Sequence, residues 1–153
     1  MEFYQKNFIL AQEKIKKIEN LIVLSQVSKN KRLALITLEE IEKALKHCIS
    51  SMLHYDYLLK RIKVSKDPIL NLKIFESKSS KNYEITNQEL RIIKEILNTA
   101  KDHQQSPMEF VRNQEIIILT DNHRITKISI QKLTNFASTT KNILNKIKIK
   151  IDG

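Results

Sequence analysis

KRLALITLEEIEKALKHCISSMLHYDYLLKRIK, residues Lys31–Lys63, is the stretch on which the fold turns. Steps of four and three through it land on Ala34, Leu38, Ile41, Leu45, Cys48, Met52, Tyr55, Leu59 and Ile62, all apolar or aromatic. No Gly or Pro interrupts the run, so the spacing predicts one long amphipathic helix. At 1.5 Å per residue it would reach roughly 45–50 Å, longer than a small globular core needs, which makes it the spine of a bundle.

Upstream, Tyr4, Phe8, Ala11, Ile15, Ile18 and Ile22 repeat the same spacing, while Glu13, Lys14, Lys16, Lys17 and Glu19 fill the other side. A first helix from about Phe3 to Val27 is therefore expected. The break SQVSKNKR is short and polar, so the two helices should fold back as an antiparallel hairpin and zip their stripes together. A single continuous rod is the alternative, since the break holds neither Gly nor Pro. The stripes extend farther than one partner helix would cover, and a homodimer that buries the surplus is expected.

Downstream, Asp67-Pro68 ends the spine near Lys63, because proline cannot continue the hydrogen-bond ladder. Leu70, Leu72 and Ile74 alternate as in a short strand and polar ESKSSKN follows, which reads as an irregular connection with a mobile tip. Thr86 and Glu89 form a capping box for a third helix through Leu90, Ile93, Leu97 and Ala100 to about His103. Ser106, Pro107 and Glu109 repeat that start signal, predicting a short helical turn over Pro107–Arg112. The β signal is Glu115–Thr120 with Arg124–Ile128, two β-branched runs around a turn. Ser129 caps a last helix through Leu133, Phe136, Ile143 and Ile147, and the alternating tail KIKIKIDG should fray or add an extended edge. The fold class is thus mainly α: an antiparallel helical bundle built on a long helical hairpin, with a small β-hairpin before the C-terminal helix. A single domain over residues 1–153 is expected, with the hairpin in 1–63 and a mixed part in 68–153.

The 153 residues carry a net charge of +10 and a pI near 9.7. The one glycine is Gly153, which excludes a Walker A loop, a Rossmann glycine turn and a nucleophile elbow. One cysteine permits no intramolecular disulfide and no cysteine-based zinc site, and Cys48 lies on the apolar stripe. That usage suits a reducing cytoplasm. No apolar run approaches a membrane span, and MEFYQKNF lacks the hydrophobic block of a signal peptide, so no membrane partner is expected.

Positive charge points toward nucleic acid through counterion release, although a lysine-rich coat is also an ordinary solvated surface. The most basic stretch is Lys60–Lys81. Lys60, Arg61, Lys63, Lys66 and Lys73, with Arg112 and Arg124 farther on, are the candidate phosphate-facing residues. His47 and His54 lie two turns apart, roughly 10 Å, too far to share a metal. Asp102, His103, Ser106, Glu109, Arg112, Asp121, His123 and Arg124 form the densest reactive group, but no spacing among them is specific to a reaction. Most serve as caps or turn residues; Arg112 alone has no local duty, and a small-molecule pocket around it is a further option. Neither a catalytic set nor a cofactor is expected.

KRLALITLEEIEKALKHCI resembles the central helix of the HEPN superfamily, α-helical bundles associated with RNA cleavage or with nucleotidyltransferase partners. The resemblance covers the first two helices. Catalytic members carry an arginine followed by a histidine four to six residues on, and none of Arg32, Arg61, Arg91, Arg112 or Arg124 is so placed. The β-hairpin and the SPMEFVR turn also fall outside the family's pattern. The resemblance implies a member without the nuclease motif, used for binding or assembly. Two functions are therefore expected: a non-enzymatic, homodimeric helical interaction or assembly protein, or an RNA- or DNA-associated HEPN-like one.

Overall fold

A computed structural model describes residues 1–152. Helices α1 (Phe3–Ser28) and α2 (Lys31–Leu58) form the hairpin. Ser51 Oγ donates to the Tyr4 carbonyl at one end and Ser25 meets Thr37 at the other, which makes the pair antiparallel and rules out the rod. The reversal occurs at Lys29, held in the left-handed region at φ 52°, and Asn30 then caps α2 by accepting from the Arg32 N–H. Ala34, Leu38, Ile41, Leu45, Cys48 and Met52 are all buried. Their stripe is covered within the chain, by α1 and by the C-terminal helix α6 (Ile130–Asp152), with α5 (Asn87–Gln105) alongside. Tyr55 and Leu59 of the predicted stripe stay partly exposed, Leu59 at 45%.

Helix α2 ends at Leu58, earlier than Lys63. Lys60 turns left-handed at φ 60°, and the Lys60 and Arg61 N–H groups donate back to the Tyr57 and Asp56 carbonyls. This double closure satisfies the last carbonyls of the helix. Ile62, the end of the predicted stripe, is still buried although it lies beyond the helix.

The segment after Pro68 is not an irregular connection with a loose tip. Asp67 caps α3 (Pro68–Ile74), which runs into a π-helical turn (Phe75–Ser79) and a short α4 (Ser80–Asn82). Three alternating residues are too few to specify a strand, and Asp67-Pro68 is a cap followed by proline at the first helical position. Phe75 is fully buried, with Ser79 and Ser80, so the turn is anchored. Ser79 Oγ is buried without a hydrogen-bond partner among the described residues.

Residues Met108–Arg112 are likewise a strand, not a helical turn. They form β1, paired antiparallel with β2 (Glu115–Leu119), which pairs with β3 (Ile125–Ile128), in the order β1-β2-β3. The Ser106-Pro107 signal is used differently here. Ser106 Oγ lies 2.7 Å from the Met108 carbonyl and 2.6 Å from the Leu119 carbonyl, tying together the ends of both strands. Asn113 and Gln114, both at positive φ, make a two-residue hairpin loop that matches strand twist. Finally, α6 continues as helix through the tail, because Ile143, Ile147 and Ile151 keep helical spacing against the core. One cluster of buried apolar side chains runs from Ala11 on α1 to Ile147 on α6, taking in Phe75, Tyr83 and the inner face of the sheet.

Without glycine at the turns, six non-glycine residues take positive φ. Each such L-residue costs about 1–2 kcal/mol. Gln114→Gly, which leaves an Asn-Gly loop, should stabilise the fold by about 1 kcal/mol in urea unfolding.

Candidate interaction surface

Strand β1 is an edge. Its backbone has a partner on the β2 side only, and Met108, Phe110 and Val111 are exposed, at 57%, 37% and 53%. Alternation places Met108, Phe110 and Arg112 on one face with Ile117, Leu119, Ile125 and Lys127 across from them, while Ile116, Ile118 and Ile128 face the core. The outer face of the sheet thus exposes Met108, Phe110 and Ile125 around a buried Ile117, with Arg112, Glu115 and Lys127 among them. Because a two-residue loop makes Arg112 and Glu115 a hydrogen-bonded pair, the N–H and C=O groups of Glu109 and Val111 point away from β2. Only the Glu109 carbonyl meets a side chain, Lys31 Nζ at 3.4 Å. Edges of this kind are normally blunted by charge, proline or a bulge.

Behind this strand stands His103, the last-turn histidine of α5. Its Nδ1 lies 2.6 Å from Glu109 Oε2 on β1 and its Nε2 lies 3.0 Å from Glu39 Oε1 on α2. A neutral imidazole has one N–H, and carboxylates only accept, so only the imidazolium satisfies both contacts. Burial would depress the His103 pKa, but the hydrogen bonds and charges of Glu109 and Glu39 outweigh it and hold the pKa above its ordinary value. The neighbouring charges are otherwise engaged. Glu42 accepts from Gln104, Asp102 accepts from Thr126 of β3, and Lys31 sits on the Glu109 backbone. The histidine therefore latches the edge strand to two helices.

Sequence reasoning had grouped His103 with Glu109 but missed Glu39, which lies 64 residues away and is brought close only by the packing of α5 on α2. The rest of that reactive group disperses. Ser106 and Asp102 are tied up as described, while Arg112 and Arg124 lie at opposite ends of the sheet. A cavity of about 440 Å³ lies between the α1–α2 turn and the β1–β2 turn, lined by Val111 and Asn113 but not by Arg112. His47 Nδ1 bonds Asn7 Oδ1, and His54 lies edge-on to Phe3; burial lowers both pKa values, with Lys14 also acting on His47. Burial also pushes the Cys48 thiol up to about 12. Among the described residues no group of three His, Cys, Asp or Glu side chains is placed to hold a metal, and no helix is long and apolar enough to cross a membrane.

The basic candidates are all exposed. Lys60, Lys63, Lys66 and Lys73 run from the end of α2 through the link into α3, with no carboxylate at ion-pairing distance among the described residues. Arg61 differs: its Nη1 lies 3.3 Å from Asp56 Oδ1, and Asp56 is fully buried, held also by Asn82 Nδ2 at 3.0 Å. Arg61 thus neutralises a buried charge. Against known proteins, no family model, curated protein or solved structure matches the chain.

Because the folded-state pKa of His103 lies above 6.5, folding takes up a proton. The latch's stabilisation is complete below about pH 6.5, the unfolded value, and is lost as pH rises through the higher folded pKa. Urea unfolding followed from pH 6 to pH 9 should show this decline. His103→Ala should cost about 2 kcal/mol at pH 6 and remove that part of the pH profile.

Proposed function

We propose that the protein is a non-enzymatic interaction and assembly module that self-associates through the edge and outer face of its sheet. The observation that carries this reading is β1, an edge strand with exposed apolar side chains beside it and outward backbone groups at Val111 and at the Glu109 N–H, the Glu109 carbonyl alone meeting a side chain, Lys31, at 3.4 Å. A two-fold axis through Phe110 satisfies both. It pairs Glu109 with Val111 in each direction and sets Phe110 against its own copy, so the same patch serves both subunits. In antiparallel pairing the outward groups of Glu109 and Val111 exchange hydrogen bonds while the Phe110 side chains approach across a non-hydrogen-bonded position. On this reading the homodimer rests on the sheet, since most of the helical stripe is buried inside the chain.

Sedimentation at micromolar concentration should give a dimer. Val111→Pro removes an outward N–H without touching the β2 ladder, and Phe110→Lys places charge on the two-fold. Each should weaken dimerisation by at least about tenfold, the equivalent of one lost interaction of 1.4 kcal/mol, with far-UV circular dichroism unchanged. A wild-type chain that stays strictly monomeric would refute the reading.

A second reading is favoured by the unpaired lysines: an RNA- or DNA-associated protein, in line with the HEPN resemblance of Lys31–Ile49 and with the missing nuclease motif. Lys60, Lys63, Lys66 and Lys73 would carry the phosphate contacts, with Arg61 held by Asp56 and Arg112 and Arg124 outside that row. Binding of generic RNA and DNA should then fall steeply with salt, each phosphate contact contributing about 0.9 to the logarithmic slope on duplex DNA. Replacing the four lysines by alanine should flatten the slope accordingly. Absence of binding at low salt rejects this reading.

A further inference from the structure

Helix α3 presents an anomaly. Four of its seven residues, Ile69, Leu70, Leu72 and Ile74, are aliphatic, yet none of the seven is buried, and Ile69 is 69% exposed. What fixes the helix is polar. Asn71 accepts the Ser65 N–H at 2.7 Å and donates to the Ser65 carbonyl at 2.8 Å, while Asp67 caps the Ile69 N–H. The helix is thereby clamped to the link that precedes it, while Leu72 and Ile74 lean, half-buried, on the core and Ile69 and Leu70 stay in water. Beneath it lies a groove of about 690 Å³, within the range of small-molecule sites. Its floor is Ile49 and Leu53 of α2 with Leu97 of α5, and its roof is Pro68, Ile69 and Leu72.

The charges on its rim are unequal. Glu42 is occupied by Lys46 at 3.3 Å and by Gln104 at 3.0 Å. Lys101, near the end of α5, lines the same groove and has no carboxylate at ion-pairing distance among the described residues. An aliphatic floor and roof, within a rim that also carries Ser50, His54 and Gln105 and on which Lys101 is the unpaired cation among the described residues, complement a ligand with an aliphatic chain and one negative head. We propose that the groove between α2, α3 and α5 binds an unbranched aliphatic monocarboxylate, its chain between floor and roof and its carboxylate on Lys101. The site is separate from the sheet edge and does not depend on self-association.

The test is calorimetric titration of the full chain with octanoate, decanoate and dodecanoate, each below its micelle concentration. Affinity should rise by up to about fourfold per added methylene, the expected gain from burying one such group. Decanol should bind at least about tenfold more weakly than decanoate, the worth of one charge-assisted contact. Lys101→Glu should weaken decanoate by a similar factor and leave decanol unchanged. Ile69→Asp alters an exposed position and should abolish binding of both, with the thermal unfolding transition retained. The proposal is overturned if decanoate does not bind saturably, if decanol and decylamine bind as well as decanoate, or if Lys101→Glu has no effect. It is also overturned if Ile69→Asp leaves decanoate binding intact but converts a dimer to a monomer, which would identify a second copy as the occupant.

Discussion

The structure depends on α2 being buried around most of its circumference. Besides its apolar stripe, it buries Thr37, Glu40, Glu42, Ser51 and Asp56. A polar group taken out of water without a partner costs more than a well-made hydrogen bond returns, so each of these side chains must be met. Different elements meet them. Lys14 and Lys17 of α1 reach Glu40, Gln104 of α5 reaches Glu42, the Tyr4 carbonyl takes Ser51, and Asn82 and Arg61 hold Asp56. Burial of Glu40 opposes its ionisation, but the hydrogen bonds from Lys14 and Lys17 prevail and lower its pKa. Apolar spacing brings the helices against α2, and these contacts select the azimuth and level at which each one sits.

The same division explains what was legible in the chain. Helical stripes were legible because they repeat over many turns, as were Thr86 with Glu89, whose capping box forms as read, and Ser129, which accepts the Lys132 N–H. The β2–β3 pair was legible through its β-branched runs. Short segments were not. Asp67-Pro68 and Ser106-Pro107 are chemically alike, yet one opens α3 and the other precedes a strand. What separates them is tertiary: the Ser106 hydroxyl finds the Leu119 carbonyl, and Val111 and Phe110 find Ile116 and Ile117. The early end of α2 was hidden because the left-handed turn falls on Lys60, where a glycine would have announced it. For the candidate site, Met108–Val111 read as part of a helical turn, and its role as an edge follows from a sheet whose third strand the pattern did not reveal.

Turns without glycine carry a further consequence. A left-handed lysine or glutamine persists only where surrounding contacts over-determine it. At Lys60 that means two backbone hydrogen bonds closing the helix, followed directly by Arg61 on Asp56 and Ile62 in the core. The basic stretch is therefore rigidly attached at its start, with its lysines projecting from a fixed base.

Two of the apolar surfaces left in water, β1 and α3, share one physical property: polar contacts fix their backbones while Met108, Phe110, Val111, Ile69 and Leu70 stay exposed. The strand is held by Ser106 at its end and by His103 through Glu109; the helix is held by Asn71 and Asp67. Had apolar contacts alone held these elements, more of their aliphatic groups would face inward, as Leu72 and Ile74 of α3 do in part. Polar clamps fix the backbone while leaving the apolar face unspent. The cost is exposed hydrophobic area, which a monomer in water gains nothing by keeping. Two separately clamped elements, on different parts of the fold, thus keep aliphatic side chains in water because hydrogen bonds, and not burial alone, set where their backbones lie.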